Sequence, residues 1–431
     1  MLQPKPTIGD TAWFTQDRFG MFIHWGTYAA AARHEWVRRY EKIPGETYQK
    51  YFDHFNPDLY DPTAWARAAK NAGMKYFVIT TKHHEGFCLW DSQFTDFKAP
   101  NSPAGRDLLT PMVEAFRAEG LRVGFYYSLI DWNHPHFPID GNHPLCDHPD
   151  AAEINKGRDV KIYAEYMRNQ VRELLTQFGQ IDLLWFDYSY PDHVYRGLKG
   201  KGRDDWESEK LLALVRELAP RAMVNNRLDL PDVPADMYTP EQYQPREWIH
   251  VNGEPVVWEA CQTLSGSWGY HRDETTWKSP DQLLQMLIDT VSKGGNLLMN
   301  VGPTARGVFD DRALTALQAY GDWIKWNARS IYGCSQSPFS APTDVRYTQN
   351  DQTNRLYAHL FAYPFKHLHL PGLAGKVEYA QFLHDASEIQ IAPPHQPGNN
   401  MSPQTTEDTL TLLLPVLKPS VQVPVIELFL K

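Results

Sequence analysis

An apolar run, Ile181-Asp182-Leu183-Leu184-Trp185-Phe186-Asp187, ends abruptly on a carboxylate, and reactive or hydrogen-bonding side chains recur at comparable points along the chain. His24 closes Phe19-Gly20-Met21-Phe22-Ile23, His83 and His84 follow Lys75–Thr81, Tyr126 lies near the end of Leu121–Ser128, Arg227 follows Ala222–Asn226, and Glu259 lies in Val256–Cys261. Gathered at one place, these residues suit a small polyhydroxylated ligand. His and Tyr exchange hydrogen bonds with hydroxyls, Arg offers a planar fork of donors, and Trp offers a face to C–H groups. Two carboxylates in such a ring could cleave a glycosidic bond, one ionised to attack or stabilise the sugar carbon, the other protonating the leaving oxygen. Taken singly, each residue has a plainer reading: Asp187 as a cap or turn residue, a strand-end histidine as a satisfied polar group.

Other chemistries find less support. His24, His83, His84, His134 and His136 supply many imidazoles, but no His-Glu-x-x-His occurs and no acid is clearly spaced to complete a site, so metal-dependent hydrolysis is a minor alternative. Gly294-Gly295 follows a helical pattern and precedes a strand, the wrong order for a dinucleotide loop, and Gly-x-Ser-x-Gly is absent. No cofactor is expected.

The elements that must position these residues alternate. Strand-like runs at 19–25, 75–81, 121–128, 181–187, 222–226, 256–261 and 296–301 are separated by helical patterns such as Val160–Gln177 and Asp311–Ala328. Repeated β-then-α units ending in polar and aromatic residues predict a (β/α)8-like, TIM-type barrel whose ligands gather at the strand ends. Seven strands are legible; the eighth unit would be degenerate or hidden in a long loop, with a doubly wound sheet as the competing arrangement. Neighbouring strand residues face opposite ways, so His83 and His84 can share a site only where the strand breaks into loop. After Gly333 the runs become short, alternating and separated by Pro, Gly, Asn and Asp. This predicts a catalytic barrel over 1–335 and an all-β sandwich over 336–431, with Pro424 placing the last strand at an edge or bulge.

Composition agrees with a large globular protein. The 431 residues exceed one usual core, and 42% hydrophobic with 22% charged residues is ordinary for a folded protein. A formal charge of −10 argues against nucleic acid as a partner, since phosphate binding needs a basic surface. Met1–Pro6 lacks the apolar core of a signal peptide and no run reaches membrane-spanning length, so the expectation is a cytoplasmic protein without membrane contact, or a secreted one if a leader was removed. Cys88, Cys146, Cys261 and Cys334 are far apart and predict no disulfide framework.

Several blocks together carry a resemblance: Arg18-Phe-Gly-Met-Phe-Ile-His24-Trp-Gly26, His34-Glu35-Trp36, Thr81-Lys-His83-His84-Glu-Gly-Phe-Cys-Leu-Trp90, Gly124-Phe-Tyr126-Tyr-Ser128, Leu184-Trp185-Phe-Asp187, Trp258-Glu259, Gly266-Ser-Trp268-Gly-Tyr270 and Gly294–Pro303. Occurring in order over roughly residues 10 to 335, they resemble the α-L-fucosidases of glycoside hydrolase family 29. The resemblance implies a barrel followed by a β module, and a metal-independent retaining exo-hydrolase that removes terminal α-L-fucose from fucosylated glycans. It implies Asp187 as nucleophile, and His24, Glu35, Trp36, His83, His84, Tyr126, Trp185, Arg227 and Trp268 around the sugar. The acid/base lies in a loop that varies among members. Thr239-Pro240-Glu241 resembles the block that carries it, making Glu241 the first choice, Glu259 the second on its strand-end position, and Glu247 and Glu254 next. A catalytically dead carbohydrate-binding barrel is the alternative from another functional class. Oligomeric state is left open.

Overall fold

The computed structural model describes residues 4–393 and 405–431. Seven parallel strands form one curled sheet: β1 (Phe19–Ile23), β2 (Tyr76–Lys82), β3 (Arg122–Ser128), β4 (Leu183–Asp187), β5 (Met223–Val224), β6 (Glu259–Thr263) and β7 (Asn296–Val301), in the order β6-β7-β1-β2-β3-β4-β5. β1, β2, β6 and β7 are buried along their whole lengths, as strands covered on both faces must be. Helices pack outside. Asp61 caps the helix Pro62–Asn71 by accepting from the amides of Thr63 and Ala64, and proline occupies its first turn, where the missing N–H costs nothing.

Between β5 and β6 the ring is completed by a segment that forms no regular ladder. Met237 bridges Asn225, Tyr238 bridges Trp258 and Glu241 bridges Cys261, all in parallel sense. Residues 237–241 are thus the degenerate eighth unit, and Pro240, which cannot donate to a ladder, lies within it. Glu241 therefore belongs to the barrel wall rather than to a free loop.

Beyond the barrel, an antiparallel sheet orders Ser335–Gln336, Val345–Asn350, Arg355–Leu360, Val425–Leu430 and Val377–Phe382, and a second joins His367–Leu370, Leu410–Leu413 and Gln390–Ile391. Their facing side chains, among them Leu356, Leu370, Leu412 and Leu428, form a core separate from the barrel's. The edge half of one expectation fails: Val425–Leu430 pairs on both sides, with Arg355–Leu360 and Val377–Phe382, so it is an interior strand, and the one irregularity in its ladders lies at Val377/Tyr379, at the far end from Pro424. Pro424 sits one residue ahead of it, where only its carbonyl is used, accepting from the Leu360 amide. The sheet meets the barrel through the helix Asp311–Asn327, whose Trp323 donates to the Val423 carbonyl at 3.2 Å. All four cysteines are free and buried. Among the described residues no helix is long and apolar enough to cross a membrane.

Candidate active site

At the C-terminal ends of the strands lies a cavity of about 230 Å³ lined by His24, Glu35, Trp36, His83, His84, Tyr126, Trp185, Asp187, Glu241 and Trp268. It is smaller than the ~300–1,000 Å³ typical of drug-sized ligands, which matches one sugar ring rather than an oligosaccharide. β1 ends one residue before His24, β2 one residue before His83, and β4 on Asp187, so each side chain is delivered by the rim of a buried strand. His83 and His84 lie past the last strand residue, where both can turn to the same cavity.

Arg227 organises the two carboxylates. Its Nη1 donates to Asp187 Oδ1 at 2.9 Å and its Nη2 to Glu241 Oε2 at 2.9 Å. The guanidinium is itself fixed, Nε donating to Thr239 Oγ1 at 3.0 Å and the face resting 4.7 Å from the Trp185 ring. Tyr126 donates to the other oxygen of Asp187 at 2.8 Å. Burial pushes the Asp187 carboxyl above its ordinary range, the Arg227 charge opposes this, and Glu241 adds to it. The two acids differ in depth: the Asp187 side chain is 13% exposed and that of Glu241 37%, so Asp187 sits inside the cavity and Glu241 at its mouth.

Three of the cavity's histidines, His24, His83 and His84, are held towards the neutral form by burial, and two of their tautomers can be derived. Burial holds His24 and His84 well below the usual imidazole value and brings His83 down to about 4. Asn300 donates through Nδ2 to the Trp268 carbonyl at 2.6 Å, so its Oδ1 faces His24 Nδ1 at 2.6 Å and must accept. His24 therefore carries its proton on Nδ1. Ser128 spends its one hydroxyl hydrogen on the Ile130 carbonyl at 2.8 Å, so it accepts from His84 Nδ1 at 2.7 Å. Both rings leave an unprotonated Nε2 for the ligand.

Glu259 is not where the strand-end reading put it. The ladder of β6 starts at Glu259 rather than ending near it, so this residue lies at the opposite end of the strand from the cavity mouth. Its carboxyl is fully buried beneath the site, accepting from Tyr76 OH and, at 3.2 Å, from Trp185 Nε1. Burial pushes it up to about 7. Gly20 makes room for this support, because a Cβ there would collide with the Tyr76 ring. Glu254 pairs with Lys5 at 2.9 Å on the surface, and Glu247 is exposed away from the cavity lining.

Several participants escaped sequence reasoning. Phe22, His34, Tyr40, Tyr188, Cys261 and Gly266 also line the cavity. Tyr188, directly after Asp187, has φ +84°, a conformation that costs a bulky residue on the order of 1–3 kcal/mol and is found where function requires it. It turns the ring back against Trp36 and His84, 5.2 and 4.9 Å between centroids. Phe22, His34 and Gly266 stood within the motif blocks without being assigned to the site, and Asn300, which orients His24, had a signal of its own: an amide directly after the apolar run Leu297-Leu298-Met299.

With this geometry established, comparison with known proteins is specific. The family profile for alpha-L-fucosidase matches residues 8–329. The human plasma alpha-L-fucosidase is 31% identical over 388 residues, covering 82% of this chain and 76% of that protein. Among solved structures, alpha-L-fucosidase isoenzyme 1 from Paenibacillus thiaminolyticus superposes with a TM-score of 0.89 at 46% identity over 98% of both chains. A GH29 alpha-L-fucosidase from Bacteroides thetaiotaomicron, described as a trapped covalent intermediate with 2-fluoro-fucosyl fluoride, superposes at 0.83 with 27% identity, over 100% of this chain and 98% of that one.

Proposed function

This chain belongs to the α-L-fucosidase family of glycoside hydrolases, and we propose that it releases terminal α-L-fucose from fucosylated glycans with retention of configuration, Asp187 acting as nucleophile and Glu241 as acid/base. The observation that carries this reading is the single guanidinium of Arg227 holding one oxygen of each carboxylate. Acceptors on neighbouring nitrogens of one planar fork lie close together, which favours the ~5–5.5 Å spacing of retaining pairs over the ~6.5–9.5 Å of inverting ones. A relative trapped as a covalent intermediate supports the same course.

In the first step an oxygen of ionised Asp187 bonds to C1 of fucose while the bond from C1 to the leaving oxygen breaks, and protonated Glu241 gives its proton to that oxygen. In the second, water attacks C1, passes a proton to Glu241 and displaces Asp187. Arg227 and Tyr126 keep Asp187 aimed and ionised despite burial. Glu241 at the mouth stands where the leaving group must exit. His24 and His84 accept from sugar hydroxyls through Nε2. Glu35, buried and anchored by the Gly269 amide at 2.8 Å, accepts from another, and Trp36 closes the adjoining wall. Trp268, 5.0 Å from His24 between centroids, supplies an apolar face for the C5 methyl. Intact, mutually held carboxylates disfavour a dead carbohydrate-binding barrel. The test is stereochemical: proton NMR during hydrolysis of an aryl α-L-fucoside should show α-L-fucose forming first and mutarotating later. β-L-Fucose as the first product would refute double displacement.

A further inference from the structure

His83 differs from its two neighbours. Its Nδ1 is sealed from solvent and has no hydrogen-bond partner, and the nearest polar atom of an acid is Glu85 Oε2 at 3.6 Å. Glu85 is buried as well, and neither of its carboxyl oxygens has a partner. Two unpartnered polar groups thus face each other directly behind the cavity. The remaining groups around Glu85 are committed elsewhere or lie farther off. Lys82 Nζ donates to Asp131 and to Tyr163 OH, both at 3.2 Å; the Arg38 guanidinium, whose Nε and Nη1 are also buried without partners, lies over the Tyr48 ring at 5.0 Å and lowers the Glu85 carboxyl only by its charge. Among the described residues no cation stands within 4.0 Å of the Glu85 carboxyl apart from what the His83 ring could become on protonation. Tyr28 and Tyr48 complete the surroundings.

We infer that Glu85 is a positioning residue that fixes the tautomer of His83, its uncharged carboxyl giving a hydrogen to Nδ1 so that Nε2–H points into the cavity as a donor. A carboxylate with no hydrogen-bond partner in a dry pocket is costly, whereas a carboxylic acid needs only one acceptor, and His83 Nδ1 supplies it after a small rotation of either side chain. The cavity then presents acceptor, donor and acceptor at His24, His83 and His84, a pattern that distinguishes hydroxyl orientations on one sugar. With Glu85 ionised, Nδ1 would carry the hydrogen and all three rings would present lone pairs. Burial pushes Glu85 up to about 8, its own backbone amide, Arg38 and Lys82 opposing and Asp131 adding to the rise, which favours the acid form at neutral pH.

The tautomer can be read without reference to the reaction. In protein labelled with 15N-histidine and assigned with His83→Gln, His83 should show an unprotonated Nδ1 and a protonated Nε2 at pH 6, exchanging these states by pH 9. The kinetic consequence rests on the fucosidase reading. Glu85→Met, similar in size but without a donor, should lower kcat/KM by about 10- to 100-fold, the worth of one hydrogen bond to a substrate hydroxyl. Glu85→Gln, whose amide can still donate, should recover most of that loss and should lack an alkaline limb near pH 8 present in the wild type. Thermal unfolding separates loss of fold from loss of function. A protonated Nδ1 at pH 6, or an unchanged alkaline limb in Glu85→Gln, would overturn the inference. Failure of the wild type on every fucoside would sink the functional reading and leave the tautomer measurement standing.

Discussion

Asp187→Ala is expected to lower turnover of an aryl α-L-fucoside by about 10⁴-fold or more, the scale seen when a covalent nucleophile is removed. That corresponds to roughly 5 kcal/mol of lost transition-state stabilisation. Fold and binding should survive, because Asp187 stands on the rim of β4 and its replacement removes an ion pair with Arg227 rather than core volume. The space left beside C1 admits azide, which should restore part of the turnover and yield β-L-fucosyl azide, since it attacks from the face the carboxylate occupied. Turnover close to wild type in this variant would remove Asp187 from the mechanism.

Removing the proposed proton donor should have a different signature. Glu241→Ala is expected to slow hydrolysis of fucosylated oligosaccharides by about 10³-fold and of an activated aryl fucoside by much less, because a good leaving group needs little protonation and general acid catalysis contributes roughly 10²–10⁴-fold. The comparison also decides between glutamates. Glu259 is committed to Tyr76 and Trp185 beneath the cavity, so its loss should disturb the Trp185 wall for every substrate alike. An equal loss on good and poor leaving groups in Glu241→Ala would return attention to Glu259.

Much of this site was legible in the sequence because apolar runs ending in polar residues are what a buried parallel strand produces. All seven runs correspond to strands, and of the residues read from their ends His24, His83, His84, Tyr126, Trp185 and Asp187 line one cavity, while Arg227 stands behind its two carboxylates and Glu259 beneath it. Legibility failed where the physical cause leaves no pattern. The eighth wall segment, Met237-Tyr238-Thr239-Pro240-Glu241, is held by isolated bridges and contains a proline, so neither alternation nor propensity marks it. Val256-Val257-Trp258 has the composition of a strand, but the ladder begins at Glu259, and that displacement placed the glutamate at the wrong end. Pro424 marked a strand boundary, whereas a proline in a strand-like run is more often a sign of an edge. The left-handed backbone of Tyr188 and the unpartnered pair of His83 and Glu85 depend on the path of the chain in three dimensions, and no spacing rule reports them.

The central claim, that Asp187 forms a bond to fucose, is open to one direct measurement. A 2-deoxy-2-fluoro-L-fucosyl fluoride slows both steps by disfavouring positive charge at C1, while its reactive leaving group lets the first step outrun the second, so the glycosyl-enzyme should accumulate. After proteolysis, mass spectrometry should find one fluorofucosyl group on the peptide containing Asp187, with fragmentation placing it on that side chain. A label on Glu241, Glu259 or any other residue, or full inhibition with no covalent label, would contradict Asp187 as the nucleophile.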